Sequence, residues 1–119
     1  DTTWFDSGAS VSLTAGTYLV TMTLHASMAT TAGDGTITGR LYNVTSAAAV
    51  TDSEVQVITT NVVGTYRATG TLSMIITVGS TNTIRVEAQR VAGATYVGAA
   101  TRIRSDSTGR TCITYVRIA

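Results

Sequence analysis

The reactive side chains of this 119-residue chain are few, which limits the chemistry open to it. His25 is the single histidine and Cys112 the single cysteine. His25 falls among Thr21, Thr23 and Ser27 on one side of an alternating segment, with no carboxylate at a spacing that would orient it. A hydrolytic triad needs a nucleophile, a base and an orienting group held together, so His25 reads as a surface or interface imidazole. Cys112 lies among apolar neighbours and reads as an inert, buried thiol. A zinc site needs several His, Cys or carboxylate ligands, and these two residues are too few and too far apart. Glycoside hydrolysis needs two placed carboxylates. The seven acids sit mostly at turns or termini. Asp34, in Ala32-Gly33-Asp34-Gly35, has the chemistry of a calcium-loop ligand, but Asp-Gly also suits a tight turn, and the turn is the expected role. Ser105-Asp106-Ser107 reads the same way. Asn43-Val44-Thr45 matches a glycosylation acceptor, a triplet that arises readily in a Thr-rich chain. The expectation is a protein that is not an enzyme, uses no cofactor and folds without metal.

Three residues are candidate ligand contacts: Trp4, whose ring could stack on a sugar, Arg102 and Arg104. Trp4 and Phe5 are otherwise expected to pack under the fold. Net charge is only +1, and nothing in that total implies the basic face of a nucleic-acid binder. Its distribution is uneven. Residues 1–60 carry Arg40 against Asp1, Asp6, Asp34, Asp52 and Glu54, whereas 61–119 carry seven arginines against Glu87 and Asp106. Interleaving of the two halves would scatter this charge over the surface. One cysteine permits no internal disulfide. No apolar run reaches the roughly 18 residues of a membrane helix, so membrane insertion is not expected. The chain opens on Asp1 with no signal-peptide pattern, and is read as a fragment or processed form.

The elements that would position these residues are strands. Thr occurs 25 times, Leu 5 times, Glu twice and Lys never. β-Branched residues suit a pleated surface, and a helical domain would need more of the other three. Period-two alternation dominates. In Thr17–Met28, Tyr18, Val20, Met22, Leu24, Ala26 and Met28 share one face. In Tyr66–Val78, Leu72, Met74, Ile76 and Val78 do so, opposite Arg67, Thr69, Thr71, Ser73 and Thr77. Shorter strands are expected at Thr2–Phe5, Ser10–Leu13, Gly35–Val44 (burying Ile37 and Leu41), Glu54–Thr59 (burying Val55 and Val57), Thr83–Arg90 (burying Ile84, Val86 and Ala88), Ala100–Arg104 and Thr111–Ile118. Turns fall at Gly, Asn and Asp clusters. The whole chain, 1–119, reads as one all-β antiparallel sandwich of about eight to ten strands, a jelly roll. In the last strand Cys112, Val116 and Ile118 share one face, and Ile113 and Tyr115 the other. Leu19, Ile75 and Val91 also interrupt polar faces. Ile113, Tyr115, Leu19 and Ile75 are the candidate subunit interface.

Two stretches carry a resemblance. Val11-Ser12-Leu13-Thr14-Ala15-Gly16-Thr17-Tyr18-Leu19-Val20-Thr21 resembles the L-x-x-G-x-Y-x-V start of the first long strand in C1q/TNF-like jelly rolls. Gly39-Arg40-Leu41-Tyr42-Asn43-Val44-Thr45 followed by Val50-Thr51-Asp52-Ser53-Glu54 is similar to the R-L-x-N-x-T … V-x-x-S pattern of bacteriophage tail-fibre tips and particle-surface domains. Thr69–Leu72 with Ile84–Ala88, and Thr114–Ile118, resemble the central and closing strands. The resemblance implies a homotrimer on the virion surface, with other virion proteins and a host cell-surface glycan or protein as partners and no catalytic residues to transfer. It leads to two expectations, a receptor-binding tail-fibre tip or a decoration protein that stabilises the capsid or tail.

Overall fold

The computed structural model describes residues 3–91, 94–96 and 101–119. They form ten strands: β1 (Trp4–Leu13), β2 (Gly16–Gly33), β3 (Gly35–Asn43), β4 (Ala48–Ala49), β5 (Val55–Thr60), β6 (Gly64–Val78), β7 (Asn82–Val91), β8 (Ala94–Tyr96), β9 (Arg102–Arg104) and β10 (Cys112–Arg117). No helix occurs among the described residues. Two antiparallel sheets face each other. One has the order β1-β7-β3, with β4 and β5 both pairing β3, and the other has the order β10-β2-β6. The free edge of β2 is lined in succession by β10 at Tyr18–Thr23, β9 at His25–Ser27 and β8 from Thr30.

The expected alternation sets the core. Tyr18, Val20, Met22, Leu24, Ala26 and Met28 of β2 are buried against Ile37 and Leu41 of β3 and Ile84, Val86 and Ala88 of β7. Small residues make close approach possible. A Cβ on Gly39 would lie 2.8 Å from Leu24 Cδ2, so Leu24 occupies the space a side chain would need. Where β3 passes from β4 to β5, the fully buried Ser53 takes the place of a ladder partner. Its Oγ accepts from Leu41 N at 3.0 Å and donates to Val50 O at 2.7 Å, because a buried peptide group left unpaired is costly.

Several expectations change. The weak segments Thr2–Phe5 and Ser10–Leu13 are one strand, β1, with a register irregularity between Asp6 and Ser10; Thr2 lies outside the described residues, as does Ala100 of the expected Ala100–Arg104 strand. In β5 a similar shift brings Ile58 into the core, and Val55 and Val57 are only half-buried. Trp4 and Phe5 do not pack beneath the sheets: Phe5 is exposed, and Trp4 lies outside under Arg40. Cys112 is exposed rather than buried, because it pairs with outward-facing Thr23.

Leu24 is expected to be a keystone of this packing. Leu24→Ala should cost about 2–5 kcal/mol in denaturant unfolding, and Thr71→Ala on the wet face less than about 0.5 kcal/mol.

Candidate functional site

Two groups of polar residues sit on the outward faces, and each buries an ionisable side chain. On the first sheet, Glu87 of β7 is 2% exposed. Antiparallel register places it between Asp6 of β1 and Arg40 of β3. Arg40 Nε donates to its Oε1 at 2.9 Å and Arg85 Nε to its Oε2 at 2.8 Å. The hydrogen bond to Glu87 raises the pKa of Arg85 above its ordinary value. Arg40 also lies 4.0 Å over the ring of Trp4 and 5.2 Å from that of Tyr42. One face of the Trp4 ring is therefore already held by a guanidinium.

The second group lies on the other sheet and is centred on His25. Two neighbouring cross-strand rows point outward: Arg104, His25 and Thr69, then Arg102, Ser27 and Arg67, from β9, β2 and β6 in each case. The segment between β9 and β10 folds back over them through an Asp106–Gly109 bridge. His25 is consequently 2% exposed, and the expected surface imidazole is an enclosed one. Gly109 lies directly on the ring, where a Cβ would come within 2.7 Å of Nδ1. Thr111 ties the loop to the strand. Its Oγ1 accepts from His25 N at 3.0 Å and donates to Arg104 O at 2.9 Å.

The hydrogen bonds assign the imidazole tautomer. Thr108 Oγ1 donates to Asp106 Oδ1 at 2.6 Å, so its oxygen is left to accept from His25 Nε2–H at 3.0 Å. Nδ1 then accepts from the Thr69 hydroxyl at 2.8 Å. Asp106 also accepts from Thr108 N at 2.8 Å. These two bonds from Thr108, with the nearby His25 and Arg67, hold its carboxyl well below the usual range, at about 2. Thr69, His25, Thr108 and Asp106 thus form a hydroxyl–imidazole–hydroxyl–carboxylate relay. Nucleophilic chemistry would also need space for a reacting carbonyl and donors for its oxyanion. Of the relay, only Asp106 borders a depression, the one it shares with Arg102 to Ser105, and neither His25 nor Thr69 lines that depression or the cavity beside Phe5 and Ala88. The relay is suited to holding the loop down. Among the described residues there is no cluster of three metal-ligating side chains.

Arg102 and Arg104 come together here and are joined by Arg67, so three arginines gather on one face rather than scattering. Arg104 Nε donates to Ser27 Oγ at 2.6 Å. Asp106 approaches Arg104 at 3.6 Å and Arg67 at 3.9 Å. Arg67, Thr108 and Gly109 were not singled out in the sequence. The alternation places Arg67 on a wet face, but nothing short of the β2–β6 register pairs it with Ser27.

Of the candidate interface residues, Leu19 and Ile75 are directly paired across β2 and β6, and Val116 extends the row from β10. All three are exposed. Ile113 and Tyr115 instead pair with Met22 and Val20 and share their core-facing side. Ile113 packs on the core, and the Tyr115 ring meets Tyr18 edge-on at 5.7 Å while remaining half exposed. The outward side of this strand carries Cys112, Thr114 and Val116, because the register with β2 reverses the side first assigned. The side chain of Val91 lies outside the described ones. Asn43 has its amide engaged with Asn82 Oδ1 at 3.0 Å.

Neither the models of known protein families nor the curated proteins contain a match to this sequence.

Two measurements check the loop clamp. The folded-state pKa of Asp106 is depressed, so its contribution is fully present above the ordinary carboxylate pKa near 4 and is lost as pH falls through about 2. Histidine NMR signals should report loop opening in that acid window, with no loop transition between pH 5 and 8 due to Asp106. Gly109→Ala should expose His25 at neutral pH, and unchanged imidazole shifts in that variant would show that the loop does not depend on the close contact.

Proposed function

We propose that the chain is a non-enzymatic structural and attachment module of a virus particle. Within that class it is read as the trimeric receptor-binding tip of a bacteriophage tail fibre, exposed on the virion surface. The resemblance of the Val11–Thr21 and Gly39–Glu54 stretches is one support. The path of the chain between the sheets is another. It runs from β1 in one sheet to β2 in the other, back to β3 and β5, across to β6, back to β7 and finally to β10. The repeated crossing between the sheet orders β1-β7-β3-β5 and β10-β2-β6 supports a jelly roll over an up-and-down barrel.

The observation that carries the assembly reading is the row Val116, Leu19, Ile75. These residues are 63%, 39% and 54% exposed, in register on three adjacent strands. They sit amid a Thr and Ser lattice in which Thr17 bonds Thr77 at 3.0 Å and Thr21 bonds Ser73 at 2.8 Å. Tyr115 and Ile118 extend the apolar surface around the strand. One sandwich core cannot cover an outward row, and burial against neighbouring copies removes it from water. β6 adds a second reason. Among the described residues it pairs with β2 alone, which leaves the far edge of a 15-residue strand without a ladder partner. Long open edges invite association, and closed cyclic symmetry satisfies every copy equally.

Light scattering of the purified chain, 12.3 kDa per subunit, is expected to give a trimer. Combined Leu19→Asp and Val116→Asp substitution should give monomer, and Thr71→Asp should leave the trimer intact. A monomeric parent would overturn the assembly reading. Immunogold labelling of particles away from the tail tip would overturn the attachment reading in favour of decoration.

A further inference from the structure

The Arg67, Arg102 and Arg104 face carries more positive charge than its own acid can balance. Two of the three guanidinium groups share Asp106, whose separations of 3.6 and 3.9 Å from Arg104 and Arg67 are longer than the roughly 2.7–2.9 Å of a tight charged hydrogen bond. Arg102 is exposed, and its side chain makes no ion pair or hydrogen bond among the described residues. Packing does not require that arrangement, since Arg102 and Arg67 flank the small Ser27 with two like charges on one row. The surface there is concave. A depression of about 240 Å³ is lined by Arg102, Ile103, Arg104, Ser105 and Asp106.

We infer that this depression binds a carboxylate-bearing sugar of an acidic polysaccharide. A planar carboxylate matches the two-pronged donor face of a guanidinium, and Arg102 is the arginine whose donors are uncommitted. Arg67, 46% exposed, stands across Ser27 and contributes the second positive charge. Hydroxyls frame the face: Ser105 in the depression, and Thr69 and Thr71 on β6, both exposed. The Thr69 proton is held by His25 Nδ1 and the Ser105 proton by Thr111 O, so these two present oxygen acceptors to sugar hydroxyls. The volume suits one sugar ring rather than an extended surface. Nucleic acid fits less well. Single strands are gripped by aromatic stacking, and no aromatic side chain lines the depression. The inference deepens the attachment reading by giving it a ligand class, and it rests on that reading only for its biological setting.

The test is calorimetric titration of the full chain with oligogalacturonate at low ionic strength, with neutral dextran, polyphosphate and single-stranded oligonucleotide as comparisons. Oligogalacturonate should bind and dextran should not. Arg102→Gln should weaken binding about tenfold, the size expected for one hydrogen bond to a charged group, and Arg102→Gln with Arg67→Gln should abolish it. Arg102 is exposed and unpaired, so its replacement leaves the fold intact. Arg117→Gln, at the opposite end of the same sheet and 6.0 Å from the Tyr18 ring, should bind as the parent does. Failure of the parent to bind oligogalacturonate, equal affinity for polyphosphate or oligonucleotide, or an equal loss in Arg117→Gln would each overturn the inference. A trimeric tail-tip protein that ignores oligogalacturonate would refute the site and leave the particle reading standing. A binding protein that is monomeric and absent from particles would do the reverse.

Discussion

The whole of the second sheet hangs on the backbone of β2. From Gly16 to Thr30 it forms an unbroken ladder with β6, and along its other edge three short strands share the remaining donors and acceptors. A strand of that length has to satisfy every peptide group it buries. Where β10 ends its pairing at Thr23 and β9 begins at His25, the ladder is interrupted, and the Thr111 hydroxyl steps in for a backbone partner at His25 N. The loop over His25 is therefore a continuation of the sheet by side chains. It exists because β2 outlasts any single neighbour.

That constraint explains why polar residues are buried on outward faces. Burying an imidazole or a carboxylate away from water is tolerable only when every polar atom finds a partner. His25 meets this requirement with two hydroxyls on its ring nitrogens, and Glu87 with two guanidinium groups. The two solutions differ in consequence. Glu87 and Asp6 together balance Arg40 and Arg85, and one face of the Trp4 ring is taken up by Arg40. Around His25 the partners are uncharged threonines, so they offset none of the arginine charge nearby, and Asp106 stands alone against it.

The fold was legible because its signal is local. Alternation in Thr17–Met28 needs only the residues themselves, and each of its even positions is buried as read. Whatever depended on register was not legible. The side of the closing strand that faces the core is decided by Ile113 meeting Met22, ninety-odd residues away, so Ile113 and Tyr115 were placed on the wrong side even though the strand itself was found. His25 looked exposed because its cover comes from Asp106 to Thr111, and no periodicity announces a loop folding back. Arg102 and Arg104 were singled out, but Arg67 joins them only through the pairing of Ser27 with both β6 and β9. Charge totals by sequence half suggested an imbalance and could not show where it would collect.

The single outward face of this sheet is divided along β2. Leu19, at one end, belongs to the apolar row, and Ser27, at the other, lies between Arg102 and Arg67. Eight residues separate them, about 26 Å at the usual rise per residue. Between the two ends, Thr21 and Thr23 face outward opposite Ser73 and Thr71, a surface with neither the apolar area for assembly nor the charge for an anion. Copies that bury the Leu19 end against one another would leave the arginine end clear of the contact. Interactions between exposed charges are screened over roughly 10 Å at ordinary ionic strength, so the charge at that end would neither oppose association nor be masked by it. One continuous strand can in this way carry the proposed assembly surface and the inferred ligand surface without either constraining the residues of the other.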